Sequence, residues 1–224
     1  MTIKIEVIHD LVCSWCAIGL HHLKGAIQEL PDTVEVEWNF IPHELNPWMG
    51  EAGMPIELYF TEHHRWSETR YKAYRKKLQN VIDEHQIGID FNYRTHYYNT
   101  NLVHRILTAA EMVGVHHQTH QCLLEAYHLK GINLSEIDLV RSVLINANLD
   151  AQGLLDSALH NPSVLAVMAE KERRKAMFPV QSVPAFVFND TDFVPGSNTK
   201  AFFKAHIESN YLGQTENVDQ IATV

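Results

Sequence analysis

Residues 10–19 read Asp10-Leu11-Val12-Cys13-Ser14-Trp15-Cys16-Ala17-Ile18-Gly19. Just before them, Ile3 to Ile8 (IKIEVI) is β-branched and alternates, so it reads as a strand. Just after, Ala17, Leu20, Leu23, Ile27 and Leu30 recur at helical spacing, and Pro31 stops the run. The CxxC pair therefore falls between a strand and the first turn of a helix, a placement suited to dithiol chemistry. The free N–H groups and partial positive charge of a helix N-terminus favour a thiolate. Cys13 is expected at that end, exposed, as the attacking sulfur. Cys16, one turn inside, is expected to be more buried and to resolve the mixed disulfide. Ser14 and Trp15, between them, are expected to tune the thiolate. Two unconnected core thiols, or half a zinc site, are the other readings the pair admits.

Composition narrows the class. The chain has 224 residues, 46% of them hydrophobic and 20% charged, which supports a folded core and excludes a disordered chain. Lys and Arg number 18 against 27 Asp and Glu, a net charge of -9 that lacks the general attraction to phosphate used by nucleic-acid binders. The basic run Arg70 to Lys77 (RYKAYRKK) is expected to form the solvated side of a helix. The 15 His would raise the net charge below about pH 6.5. Three Cys are too few for a disulfide-stapled secreted scaffold. The start MTIKIEVIHD lacks the pattern of a secretion signal, and no apolar run approaches the roughly 18 residues that span a bilayer. The expected compartment is the cytoplasm, with neither membrane nor nucleic acid as partner.

Outward from the pair, Val34 to Ile41 (VEVEWNFI) reads as a second strand. From about Pro55 the pattern is helix after helix, with no convincing strand. One stripe holds Tyr71, Tyr74, Leu78, Val81 and Ile82, and ends at Gly88. Another holds Leu102, Ile106, Ala109 and Val113, with Asn99 or Thr100 as N-cap and Gly114 as terminator. Leu123, Ala126 and Tyr127 lie on a third, closed by Gly131. Ser135-Glu136-Ile137-Asp138 resembles a capping box ahead of Val140, Val143, Leu144 and Ala147. A short helix follows Asp150, and Asn161-Pro162 opens one carrying Val164, Leu165 and Met168. Strands return at Val183 to Phe188 (VPAFVF), turn through Asn189-Asp190-Thr191, and pair back over Asp192 to Pro195. Gly196-Ser197-Asn198 opens a last helix with Phe202, Phe203, Ile207 and Tyr211. A loose polar tail is expected after Gly213.

Val183-Pro184 is the second chemical signal. A Pro at the head of an apolar strand removes a ladder donor. A cis bond there would turn the Val183 backbone outward, where an edge could pair with a substrate chain beside Cys13.

Taken in order, these segments resemble the DsbA-type thioredoxin fold, and more narrowly the FrnE-like branch of the DsbA-family thiol oxidoreductases. That branch reads Asp, two residues, Cys-Pro-Trp-Cys, then an apolar-Gly step, similar to Asp10 through Gly19. Phe40 to Gly53 (FIPHELNPWMGEAG) is similar to its Phe…Leu-Asn-Pro…Gly block. Asn99-Thr100…His104-Arg105 is similar to its Asn-Thr…Ala-His-Arg helix start, with Val103 for Ala. Ser182-Val183-Pro184-Ala185-Phe186 and Gly196 are similar to its cis-Pro strand and following Gly. The resemblance spans nearly the whole chain. It implies an α/β, thioredoxin-like fold with an inserted all-helical domain. Residues 1–50 and 177–213 would form the two parts of the thioredoxin-like domain, 51–176 the helical insertion, and 214–224 a flexible tail. It further implies exchange at Cys13 and Cys16, with Ser14, Trp15, Val183 and Pro184 against the substrate. No bound cofactor or metal is required, since the two sulfurs are the redox group. The implied partners are protein or small-molecule disulfides and thiols, glutathione being one candidate. The sequence departs from the branch at Ser14, where Pro is usual. Ser keeps a backbone donor near the sulfurs and adds a hydroxyl, which bears on redox poise rather than reaction class. Asp10 works against the helix end, because a nearby carboxylate disfavours a thiolate.

Two rival functions share parts of this pattern. Glutathione-dependent isomerases and transferases of the kappa-class and hydroxychromene-carboxylate branch share the fold but have no use for Cys16. A zinc-binding or chaperone-like module would use the cysteines as ligands. Weaker signals have structural readings. Cys122 is expected to be a buried, inert thiol, with a regulatory mixed disulfide as the alternative. His116 and His120 lie one helical turn apart, the spacing of a chelating pair, but no HExxH-type signature supports a metal there. His21-His22 and His63-His64 are expected at the surface. The resemblance places His104 near the active-site rim. Trp48, Trp66 and the tyrosines of the helical stretch fit either packing or a substrate groove.

Overall fold

A computed structural model describes residues 1–213. The polar tail expected after Gly213 lies outside the described residues. A four-stranded sheet runs in the order β2 (Glu35–Pro42), β1 (Thr2–His9), β5 (Ala185–Phe188) and β6 (Asp192–Pro195). Strand β1 (Thr2–His9) is joined through helix α1 (Ser14–Ile27) to β2 (Glu35–Pro42), which pairs with it in parallel, Thr2 opposite Glu35 and His9 opposite Pro42. On its other edge β1 pairs antiparallel with β5 (Ala185–Phe188). The hairpin closes with β6 (Asp192–Pro195), and Asn189 and Asp190 both take positive φ at its turn. Short hairpins favour that conformation. The alternation of β1 gives way to burial on both faces, as befits a central strand. The cost of burying Glu6 there is offset by two donors: Arg174 Nε lies 2.9 Å from one carboxylate oxygen and Asn39 Nδ2 lies 3.1 Å from the other.

The two largest apolar clusters lie in different parts of the molecule. One joins Leu20, Leu23 and Ala26 of α1 to Phe186, Phe188 and, from helix α9 (Lys200–Ile207), Phe203 and Ile207. The other is helical. It is assembled from α4 (Asn101–Met112), α5 (His116–Lys130), α6 (Ile137–Asn146), α7 (Ala151–His160) and α8 (Pro162–Lys175). Helix α3 (Glu68–His85) buries Tyr71, Leu78 and Ile82 and leaves Arg70, Lys72, Lys76 and Lys77 in solvent. Asn161 caps α8 by accepting from the Ser163 N–H at 3.0 Å, with Pro162 at the first helical position.

The structure corrects several expectations. A two-residue ladder joins β3 (Met54–Pro55) to β4 (His96–Tyr97), where none was expected; so short a pair carries no readable alternation. A short helix α2 (Ile56–Leu58) and a π-helical turn, Tyr59–His63, follow β3. Helix α6 has no capping box. Ser135 Oγ instead donates to the Glu51 carbonyl at 2.9 Å, a tertiary bond that outcompetes the local one. On α8, Leu165 is exposed; the inward face runs Val164, Met168 and Lys171. Lys171 is buried because its Nζ donates to the Phe40 carbonyl at 2.8 Å and pairs with Glu111. Helix α9 opens at Thr199, whose side chain accepts from the Phe202 N–H, rather than at Gly196–Asn198. Phe203 is buried and Phe202 exposed.

Candidate active site

Cys13 is the N-cap of α1, with φ -83 and ψ 115. Its N–H donates to the Asp10 carbonyl at 3.2 Å, and its own carbonyl accepts the first helical bond from Ala17. Cys16 lies in the first turn. Both thiols are free, and the Cys16 thiol is hydrogen-bonded to the Cys13 sulfur. Cys13 is 7% exposed and Cys16 3%. The expected order of burial holds, but Cys13 is far less open than expected. It shares an apolar cluster with Cys16, Ile8, Ile41 and Val183, against which Trp15, Leu45, Phe178 and Val180 pack.

The electrostatics distinguish the two sulfurs. The Cys13 thiol is held below its ordinary value, first by the hydrogen bond from Cys16 and then by the N–H groups of Cys16 and Trp15; burial and the Asp10 carboxylate oppose this. Cys16 is pushed well above the usual thiol range, first by burial and then by Cys13. In the contest between donors at the helix end and the Asp10 charge, the donors win. Of the two sulfurs, Cys13 is the more readily ionised.

Val183 and Pro184 face this pair across a cis peptide bond. Cys13 Sγ donates to the Val183 carbonyl at 3.8 Å. That approach needs α1 tight against the strand, and Gly19 permits it. A Cβ there would lie 3.0 Å from Pro184 Cγ and 3.3 Å from the Ser197 Cα. Ser14 is 2% exposed, and its hydroxyl has no hydrogen-bond partner. Trp15 is half-buried between the dithiol cluster and the Ile82, Ile87 and Phe91 cluster.

Behind the sulfurs lie groups that hydropathy does not reveal. Asp10 is fully buried. One of its oxygens accepts the Leu45 N–H at 2.7 Å, and the other lies 3.3 Å from His104 Nε2. His104 is thus beneath the site, 1% exposed, and not at its rim. The signal was present in sequence, since Asp10 and His104 both sit in matched motifs 94 residues apart. The loop carbonyls of Leu11 and Val12 are also held: His128 Nε2 donates to Leu11 at 2.9 Å, and Arg94 donates to Val12 at 2.8 Å. Tyr59, Tyr74 and Tyr97 carry their phenols within electrostatic reach of Cys13; Tyr59 is pushed up to about 12, chiefly by burial.

The remaining signals lie elsewhere. Trp48 is half-exposed and stacks on His63, with ring centres 4.5 Å apart, and Trp66 packs against Phe60 under Arg70. His22 is buried, contrary to expectation, because one ring nitrogen donates to the Asn198 carbonyl at 2.9 Å. His116 and His120 pack on the Phe40 ring at 4.6 and 4.8 Å. Cys122 is half-buried, donates to the Thr119 carbonyl and is pushed up to about 11 by burial, so it is a thiol at neutral pH.

Asp10 makes a testable contribution. Asp10→Asn keeps an oxygen for the Leu45 N–H and removes the charge that opposes the thiolate. The Cys13 pKa is expected to fall by about one unit. Ultraviolet titration of the thiolate measures it; an unmoved curve would place the carboxylate's influence elsewhere.

A central strand, a CxxC at the following helix N-terminus and a facing Val-Pro strand define a thioredoxin-type dithiol protein. The chain matches the DSBA-like thioredoxin domain over residues 4–208 and belongs to that family. It is 25% identical to the protein YwbO of Bacillus subtilis strain 168 over 211 residues, which is 92% of this chain and 96% of that one. Its fold is similar to that of a probable DsbA oxidoreductase from Streptomyces coelicolor, with a TM-score of 0.81, 22% identity and coverage of 92% of this chain and 89% of that one. It is also similar in fold to the cytosolic disulfide reductase DsbM of Pseudomonas aeruginosa, solved with GSH, with a TM-score of 0.60, 13% identity and coverage of 92% and 98%.

Proposed function

We propose that the protein is a thiol–disulfide oxidoreductase in which Cys13 is the nucleophile and Cys16 the resolving thiol. The observation that carries this reading is the unequal, hydrogen-bonded pair at the start of α1, one sulfur poised to ionise and the other held as a thiol. The Cys13 thiolate attacks a substrate disulfide, RS–SR′. The S–S bond breaks, R′S⁻ leaves and takes up a proton, and RS–S–Cys13 remains. Cys16 then loses its proton, for which the buried Asp10 carboxylate is the acceptor at hand, and its thiolate attacks Cys13 Sγ. RSH leaves and the Cys13–Cys16 disulfide closes. Two electrons have passed from the protein dithiol to the substrate, and the reverse sequence oxidises a substrate dithiol.

The substrate class is a protein or small-molecule disulfide or thiol that lies against Trp15, Ser14 and the Val183-Pro184 strand. Glutathione is a candidate, supported by its presence in the DsbM structure. The ordered motifs around Asp10, Asn99 and Val183 favour the FrnE-like branch, and the sparse cysteine content favours a cytoplasmic setting. The hydrogen bond between the sulfurs favours the dithiol reading over an isomerase that needs no second cysteine. Incubation over a range of reduced-to-oxidised glutathione ratios, followed by mass mapping of alkylated cysteines, tests the proposal. A Cys13–Cys16 disulfide that forms and reopens reversibly is expected. Cysteines that stay reduced at every ratio, or that retain zinc stoichiometrically, would refute it.

A further inference from the structure

The basic run on α3 reaches the dithiol region. Arg70, Tyr74 and Lys77 recur at steps of four and three, which places them within about 60° of one another around the helix. Lys77 Nζ stands 5.6 Å from the centre of the Trp15 ring, within cation–π range. Trp15 lies between the two cysteines in sequence and packs against the cluster that holds them both. Arg70 lies over the Trp66 ring at 4.0 Å, and Trp66 meets Tyr74 edge to face, ring centres 5.4 Å apart. Tyr74 and Trp15 pack against the same apolar cluster, and Tyr74 is within electrostatic reach of Cys13. A row of rings, Trp66, Tyr74 and Trp15, is thus flanked by a cation at each end. Both cations are exposed to solvent.

Neither cation has an ion-pair partner. Among the described residues, no carboxylate lies within 4.0 Å of Arg70 or Lys77, whereas Lys72 pairs with Glu68 at 3.0 Å. The helix itself supplies none. One turn from Lys77 stand Ala73, Tyr74, Asn80 and Val81, and one turn from Arg70 stand Trp66, Ser67, Ala73 and Tyr74. In a chain of net charge -9, this edge of the site reverses the general field. We propose that Lys77, with Arg70 behind it, is a specificity residue of the dithiol site and selects disulfides that carry a carboxylate near the S–S bond. The rings offer an apolar bed for the carbon chain of the substrate, and the cation meets its carboxylate. The Cys13 thiolate and the buried Asp10 repel such an anion, and the cations offset that repulsion during approach. The chemical step is unchanged. Cys13 forms RS–S–Cys13, and the other half leaves as RS⁻ and takes up a proton.

This inference rests on the proposed dithiol function and deepens it. Three symmetrical disulfides of similar size serve as probes: dithiodipropionate, a dianion; bis(hydroxyethyl) disulfide, neutral; and cystamine, a dication. The rate at which each consumes the thiols of the reduced protein is followed by alkylation and mass. Lys77→Gln is expected to slow the dianion about threefold relative to the neutral probe. Lys77→Glu combined with Arg70→Gln is expected to slow it about tenfold and to speed cystamine. A change in the Cys13 thiolate itself would scale all three rates together, so the ratios isolate the charge effect. Near 1 M salt, where the Debye length is about 3 Å, most of the wild-type preference for the dianion should vanish. Lys76→Gln removes the same net charge from another side of α3 and should leave the ratio within about twofold of the wild type. Oxidised glutathione and a disulfide-linked Glu-Cys-Glu peptide dimer, run in the same assay, separate a small carboxylate source from a polypeptide one; the source is the one that loses more in the double variant. An unchanged dianion-to-neutral ratio in both Lys77 variants overturns the proposal. So does a Lys76→Gln effect equal to that of Lys77→Gln, since net charge alone would then suffice. A wild type that reacts with none of the probes sinks the dithiol function itself, a result visible before any variant is made.

Discussion

Cys13→Ser is expected to lower the rate of exchange with a model disulfide by at least ~10³-fold, about 4 kcal/mol of barrier. A serine hydroxyl at the N-cap receives the same N–H groups but does not ionise near neutral pH, and the reactive species in exchange is the anion. Cys16 cannot substitute, because burial, the leading cause of its raised pKa, still holds its proton. The partner variants carry the diagnostic detail. Cys16→Ser leaves the first attack intact and removes the second, so a mixed disulfide on Cys13 should accumulate and be seen by mass. Its hydroxyl can still donate to the Cys13 sulfur; in Cys16→Ala that bond is gone, and the Cys13 pKa should rise further. Equal activity in Cys13→Ser and wild type would discard the mechanism. Equal Cys13 pKa values in Cys16→Ser and Cys16→Ala would discard the hydrogen bond as its cause.

The second large effect concerns acid. His9, His116, His120 and His128 all have pKa values below the ordinary imidazole value, with burial as the leading cause in each; His116 falls to about 4. His9 and His120 also repel each other's protonated forms, their ring centres 5.1 Å apart, and Arg94 disfavours a charge on His128. In the unfolded chain these imidazoles titrate near 6.5. Their contribution is therefore fully present above about pH 6.5 and is lost as the pH falls toward the lower folded values, because the unfolded chain binds protons that the fold refuses. Between pH 6.5 and 5.5 each group should cost about 1 kcal/mol, about 4 kcal/mol for the set. Urea denaturation at pH 7.5, 6.5 and 5.5 checks this. A midpoint that does not move across the window would mean the four rings accept protons in place. A double variant, His9→Phe with His120→Leu, should flatten about half of the loss if it folds.

The parts of this molecule written in sequence are those where local pattern and tertiary demand agree. The strand–CxxC–helix unit, the Val183-Pro184 strand and its hairpin, and the Asn161-Pro162 helix start each rest on spacing or turn chemistry within a few residues. What escaped was polar and inward. Arg94 meets the Val12 carbonyl 82 residues away, and Lys171 meets Phe40 131 residues away. Hydropathy places such residues in solvent, and only the partner explains the burial. Ser135 fitted a capping box by composition yet spent its hydroxyl on Glu51. The openness of Cys13 was overestimated for a related reason. The residues of the cluster it joins, Leu45, Phe178 and Val183 among them, arrive from two distant stretches of chain.

The sheet order has a consequence for synthesis. Strand β1 emerges first, but its neighbour β5 is made only after residue 184. At roughly 5–20 residues per second, ribosomes take about ten to forty seconds to reach it. Through that interval the nascent Cys13 has no Val183 carbonyl beside it and no finished wall around it. The young sulfur meets the cell's thiol pool before the mature protein can govern which disulfides it will touch.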